Sequence, residues 1–184
     1  MEFKMRIAGL ERALPLCKVT DELCIGAFVI FGDPELTTAC AKALIEKAPE
    51  YDYLITAEAK SIPLIHEMAR LCNNQKYMLA RKYPKLYMKD ILTAQVRSIT
   101  TDKVQTLYLD GVDANLMKGK RILIVDDVIS TGESLRAIEE LVGLAGGEIV
   151  GKMCILAEGD AVNRNDIIFL EKLPLFNPDG TMKK

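Results

Sequence analysis

The stretch RILIVDDVISTGESL, residues 121–135, joins three kinds of sequence in one short span. It begins as an apolar run rich in β-branched residues, the pattern of a strand buried on both faces. Two adjacent carboxylates, Asp126 and Asp127, end that run, and a Ser-Thr-Gly turn follows them. GESLRAIEELVGLAGG then places apolar residues at helical spacing and stops at Gly146 and Gly147. Strand, turn and helix in this order make half of a right-handed βαβ unit. They also put the two acids and the turn at the carboxyl end of a strand, where sheets of this class bind ligands.

Outward from this unit the same grammar repeats. GAFVIF, residues 26–31, reads as a short buried strand; Asp33 and Pro34 then read as the N-cap and first turn of a helix with Leu36, Cys40, Ala43 and Leu44 on one face. YDYLIT reads as a second strand ending at AEAKS, and Ser61 as the cap of a helix running through Leu71, with Pro63 in its first turn. KYMLARK reads as a third strand. Residues 88–111 predict an excursion from the core with two strands, around 92–99 and 104–109. EIVGKMCILA and DIIFLEKL supply two more strands. This alternation predicts an α/β protein, a mostly parallel twisted sheet with helices on both faces. The expected organisation is one domain, 1–184, with a core over about 26–160. The irregular-looking opening, 1–25, and the tail, 165–184, are expected to form a small cap over the crevice.

The turn after the acids has the makeup of a phosphate cradle. Backbone amides at a helix N-terminus point outward together, and the helix dipole favours an anion there. Gly132 allows close backbone approach, and Ser130, Thr131 and Ser134 add hydroxyl donors. There is no lysine at the helix start and no Walker spacing, so a single terminal phosphate suits the loop better than a triphosphate. Asp126 and Asp127 lie where a sugar attached to that phosphate would extend. Two carboxylates accept hydrogen bonds from paired ribose hydroxyls and attract hydrated magnesium. Ribose 5-phosphate fits both halves.

Bulk composition removes other classes. The 184 residues are 49% hydrophobic with a formal net charge of −2, enough for one core and without the basic excess of a nucleic-acid binder. No run approaches a membrane span, and the first residues lack a signal-peptide pattern, which predicts a cytoplasmic protein. The five cysteines are widely spaced with no Cys-x-x-Cys, as expected of small buried hydrophobes in a reducing compartment. His66 is the only histidine and reads as a helix-face residue, which argues against a histidine metal site. A receiver domain, which also opens on a strand and acids, needs more chain than the 63 residues after Arg121.

ILIVDDVISTGES resembles the signature of the type I phosphoribosyltransferases, in which four hydrophobic residues, two acids and a small-Thr-Gly turn hold the ribose 5-phosphate part of phosphoribosyl pyrophosphate (PRPP). AEAKSIP resembles the pyrophosphate loop of that family, bringing in Glu58, Ala59, Lys60 and Ser61, with Lys60 where arginine is common. ARKYPKLY resembles an element of the adenine phosphoribosyltransferase branch, placing Arg81, Lys82 and Lys85 near pyrophosphate, in that family often across a dimer interface. The resemblance implies the type I phosphoribosyltransferase fold with a hood built from the termini. It implies transfer of 5-phosphoribosyl from magnesium-bound PRPP to a purine, adenine-like or else xanthine or hypoxanthine, in a homodimer serving purine salvage. It assigns Ser130, Thr131, Gly132, Glu133 and Ser134 to the 5′-phosphate, Asp126 and Asp127 to the ribose and, through water, to Mg2+, and a ring such as Phe169, or Phe28 or Phe31, to the base. Hypoxanthine-guanine enzymes carry aspartate at position 130, so Ser130 points to the adenine and xanthine group. Glu133 stands where glycine is common, and the excursion offers Ser98 and Asp102 but no glutamate. A PRPP- or nucleotide-binding regulator on the same fold is the alternative.

Overall fold

The computed structural model describes residues 1–97 and 104–183. In chain order its strands are β1 (Glu2–Ile7), β2 (Leu10–Thr20), β3 (Leu23–Gly26), β4 (Tyr53–Ala57), β5 (Met78–Ala80), β6 (Leu92–Arg97), β7 (Val104–Leu109), β8 (Arg121–Ile129), β9 (Glu148–Glu158), β10 (Ile168–Leu173) and β11 (Leu175–Phe176). The helices are α1 (Pro34–Ile45), α2 (Ile62–Leu71), α3 (Gly111–Met117) and α4 (Glu133–Leu144).

The central sheet has the order β10-β9-β8-β4-β5, and every pairing in it is parallel. Strand β8 is its middle member, and Leu123, Ile124 and Val125 are fully buried, as a continuous apolar run requires. Helices cover both faces. Leu36, Cys40 and Leu44 of α1 pack with Leu64, Ile65 and Met68 of α2 against Leu123, Val125 and Ile155. On the other face Ala114 and Met117 of α3, and Leu135, Ile138 and Leu141 of α4, pack against Ile122, Ile124 and Cys154. These are the α/β layers expected from the alternation of strands and helices.

Several elements differ from expectation. The strand expected at 26–31 does not form: the neighbouring β3 ends at Gly26 and joins a second sheet rather than the central one. Residues 27–30 instead enter the core as irregular chain, burying Phe28 and Ile30. The opening is not irregular: β1, β2, β3 and β11 form a four-stranded antiparallel sheet built from both ends of the chain. Helix α3 was concealed in GVDANLM, where only seven residues separate Asp110, whose side chain accepts the Val112 N–H, from Lys118. Asp33 caps α1 as expected, accepting the Leu36 N–H at 3.0 Å. Ser61 occupies the cap position of α2, but its hydroxyl makes no cap hydrogen bond.

The excursion folds as an antiparallel hairpin, β6 with β7, from Leu92↔Leu109 to Arg97↔Val104. Ala94, Leu107 and Leu109 join the core on the α4 face. Ser98, Asp102 and the expected strand end at Ile99 lie outside the described residues. No helix among the described residues is long and apolar enough to cross a membrane.

Candidate active site

The ends of β4, β5 and β8 converge on one edge of the sheet, and the acids of β8 sit at its centre. Asp127 is only 4% exposed. The Ser61 hydroxyl donates to Asp126 Oδ1 at 2.5 Å, lies 3.1 Å from Asp127 Oδ1, and accepts the Asp127 N–H at 2.9 Å. This is where the hydroxyl expected to cap α2 is spent. Lys60 Nζ lies 2.8 Å from Asp127 Oδ2, an atom with no aligned hydrogen bond and so held by charge alone. Burial, and then the neighbouring Asp127 charge, push the Asp126 carboxyl above its usual range. Loop 58–61 and the two acids are therefore one hydrogen-bonded unit.

A second strand end closes the same crevice. Glu58 accepts the Lys82 N–H at 3.0 Å and pairs with Arg81 Nη2 at 3.4 Å. Arg81 also bridges to the hairpin, exchanging two backbone hydrogen bonds with Tyr108 at 2.7 and 2.8 Å. Ala57, Glu58, Ala59, Lys60, Ser61 and Lys82 line a cavity of about 260 Å3 together with Asp126 and Asp127. Lys85 does not line it; its backbone N–H and C=O turn back on Met88.

The phosphate loop forms an adjoining cavity of about 140 Å3, lined by Ser130, Thr131, Gly132, Glu133 and Ser134 with Asp126. Gly132 has φ +76°, a conformation that disfavours any side chain, and a β-carbon there would lie 2.8 Å from Arg164 Nη1. It precedes α4 directly, so the amides of the first turn open into the cavity. Ser134 is held by Gln105 of the hairpin, whose Nε2 donates to its Oγ at 2.9 Å. Neither Gln105 nor Arg164 carries a sequence signal; both reach the loop only through packing of separate segments.

Behind Ser130 stands Glu158, at the end of β9 and only 8% exposed. Parallel register pairs Ile129 with Ala157, which sets Ser130 beside Glu158. Burial pushes the Glu158 carboxyl up, while hydrogen bonding by Ser130 and the charge of Lys60 oppose that rise.

The rings fall in three environments. Phe28 is 4% exposed in the core, Phe169 packs on the core of the α4 face, and Phe31 is 49% exposed. His66 lies on α2, edge-on to Tyr77, and lines a different cavity with Asp33, Thr37 and Glu67. The described residues contain no cluster of three or more His, Cys, Asp or Glu suited to a metal. Asp126 and Asp127 nevertheless offer hard oxygen donors, the set that suits hydrated magnesium completed by phosphate oxygens.

Similarity to known proteins agrees with this geometry. The family model described as phosphoribosyl transferase domain matches residues 34–171. A hypoxanthine/guanine phosphoribosyltransferase of Methanotorris igneus is 33% identical over 130 residues, covering 70% of this chain and 67% of that protein. One of Methanococcus maripaludis is 32% identical over 132 residues, covering 71% and 67%. Among solved structures, adenine phosphoribosyltransferase from Rhodothermus marinus superposes with TM-score 0.66 at 21% identity, covering 94% of each chain. The enzyme of the same name from Thermoanaerobacter pseudethanolicus gives TM-score 0.66 at 20% identity, covering 78% of this chain and 84% of that one. With the acids, the phosphate loop and the parallel sheet arranged as described, this chain belongs to the phosphoribosyltransferase family, a family of enzymes, and has the type I fold.

Proposed function

We propose that the protein transfers the 5-phosphoribosyl group of PRPP to a ring nitrogen of a purine, releasing pyrophosphate and forming a nucleoside 5′-monophosphate. One observation carries this reading: a phosphate-sized cavity and a lysine-bearing cavity adjoin and share Asp126. A phosphoribosyl group with its phosphate in loop 130–134 reaches across Asp126 and Asp127 and leaves its diphosphate against Lys60, Arg81 and Lys82. The names of the relatives support a purine. Ser130 in place of aspartate favours an adenine-like base, with xanthine or hypoxanthine as the other purines to test. The four-stranded sheet from the chain ends is the hood over that base, and Phe31, in the segment between β3 and α1, is the exposed ring available to it.

The chemistry needs no nucleophilic side chain. Cleavage at the anomeric carbon passes through a cationic, oxocarbenium-like state, which carboxylates beside the ring stabilise. Asp126 and Asp127 fix the ribose hydroxyls once these displace Ser61 and Lys60. Lys60, freed from Asp127, moves its charge to the leaving diphosphate. Magnesium brought with PRPP would be held by Asp126 and Asp127 through water and would supply further charge neutralisation. A homodimer acting in cytoplasmic purine salvage completes the reading.

The test is pyrophosphate release from PRPP and magnesium, run separately with adenine, hypoxanthine, guanine, xanthine, uracil and orotate. Release with one or two purines is the expected result. Release with a pyrimidine alone would overturn the purine assignment, and no release with any base would overturn the reaction.

A further inference from the structure

Gln105 lies in the 88–111 excursion and is not among the residues its sequence singles out, yet it stands at the junction of the two cavities. Four residues line both: Gln105, Asp126, Val128 and Ser134. Val128 is apolar, Asp126 belongs to the ribose-binding acids, and Ser134 belongs to the phosphate loop. Gln105 is the remaining polar side chain at that boundary, and it comes from the hairpin. A ligand filling both cavities has to pass it.

Its hydrogen bonding leaves capacity for such a ligand. Nε2 donates one of its two hydrogens to Ser134 Oγ at 2.9 Å, and the Ser134 hydroxyl lies 3.3 Å from Oε1. A serine hydroxyl has one proton. When a phosphate oxygen in the loop takes that proton, Oε1 loses its donor and becomes an acceptor for a sugar hydroxyl. The second Nε2 hydrogen is a donor for a phosphate oxygen throughout. A carboxamide suits this place because it offers both functions without charge, whereas a carboxylate would face phosphate and Asp126 together.

We propose that Gln105 binds substrate directly, its carboxamide hydrogen-bonding the phosphoribosyl group where phosphate and ribose meet. This rests on the phosphoribosyl reading above. It adds a ligand contact from an element that reaches the loop only by packing on α4, where Ala94 and Leu107 join the core.

The test is calorimetric titration of ribose 5-phosphate, and of magnesium pyrophosphate, into the full chain and into Gln105→Met, Gln105→Glu, Ser134→Ala and the Gln105→Met/Ser134→Ala double variant. Methionine keeps length and volume while removing both polar functions. The expected result for Gln105→Met is ribose 5-phosphate affinity lowered about tenfold, the scale of one hydrogen bond to a charged group, a larger loss than for magnesium pyrophosphate. Gln105→Glu should lose more. The loss from Gln105→Met should persist when Ser134 is already alanine, because a direct contact does not need the serine. Wild-type affinity in Gln105→Met, or a loss that vanishes in the Ser134→Ala background, would overturn the proposal and leave the phosphoribosyl reading standing. Failure of ribose 5-phosphate to bind the unaltered chain would overturn both.

Discussion

At Glu158 a carboxyl is kept out of water at the end of a central strand, and its protonation follows from that position. Its folded-state pKa is raised, so the stability it allows is fully present below the unfolded value of about 4.3 and is lost as pH rises through the folded value. Glu158→Gln removes this loss while keeping the shape. The expected outcome is a melting temperature above that of the unaltered chain, by a margin that grows with pH above about 4.3. An unchanging margin across a pH series of melts would contradict the burial argument. Gly132 makes a second case at the same scale. Gly132→Ala forces a side chain into φ +76° and pushes against Arg164, which pairs with Asp166. A cost of about 1–2 kcal/mol in urea unfolding, with weaker ribose 5-phosphate binding, is expected. Individual residues also mark the reach of sequence reading. Asp126 and the loop from Ser130 to Ser134 were legible as neighbours because adjacent chain positions line one cavity, with Asp127 lining the adjoining one. Gln105, Glu158 and Arg164 were not, because each meets the loop from a distant segment and has an ordinary neighbourhood in sequence.

Elements differ in how much of their logic is local. Helix α1 announces itself through Asp33 and Pro34, and the same aspartate then serves a tertiary role. Arg12 of β2 reaches Asp33 Oδ2 at 2.6 Å and Glu35 at 2.8 Å, binding the N-terminal sheet to the start of α1. The Arg12 guanidinium holds the Asp33 carboxyl below its usual range, which keeps it charged as a cap. Asp33→Ala removes cap and clamp together and should cost about 1–2 kcal/mol, read as a lower urea midpoint with an unchanged slope. Arg12→Ala removes only the clamp and should cost less; an equal cost would show that the cap contributes nothing. In α2 the local reading failed instructively. Ser61 followed by Ile62 and Pro63 fits a capping pattern, but the buried Asp127 and the half-buried Asp126 outcompete one orphan amide for the hydroxyl. The strand expected at 26–31 failed for another reason: that apolar run buries Phe28 and Ile30 but exposes Val29 and Phe31, and its composition did not distinguish a buried strand from irregular chain dipping into the core. Periodicity cannot separate these when a run is this short.

Across the whole molecule, alternation of apolar runs and amphipathic helices was enough to predict the parallel sheet, whereas the sheet joining both chain ends depends on pairing across more than a hundred residues. Surface chemistry at this scale bears on assembly. The segment after β5 leaves Tyr83, Leu86 and Tyr87 exposed, while α3 exposes Val112 and Leu116. These patches are tied together, since the Lys89 N–H donates to Asp110 Oδ1 and the Gly111 N–H to the Lys89 carbonyl. Large apolar side chains presented side by side are costly in water and suit a protein interface. The homodimer proposed above would seat a second copy here, because this segment follows Arg81 and Lys82 at the diphosphate end of the crevice. Light scattering at micromolar concentration should give twice the 20.4 kDa chain mass. Leu86→Asp with Tyr87→Asp places two charges in the contact and should give the single-chain mass with an unchanged melting transition at low concentration. The same variant should bind pyrophosphate more weakly, because the loop bearing Lys82 and Lys85 loses its support, while ribose 5-phosphate affinity stays the same. A monomeric mass for the unaltered chain would refute the dimer. A monomeric variant with full pyrophosphate affinity would keep the dimer but detach it from the site.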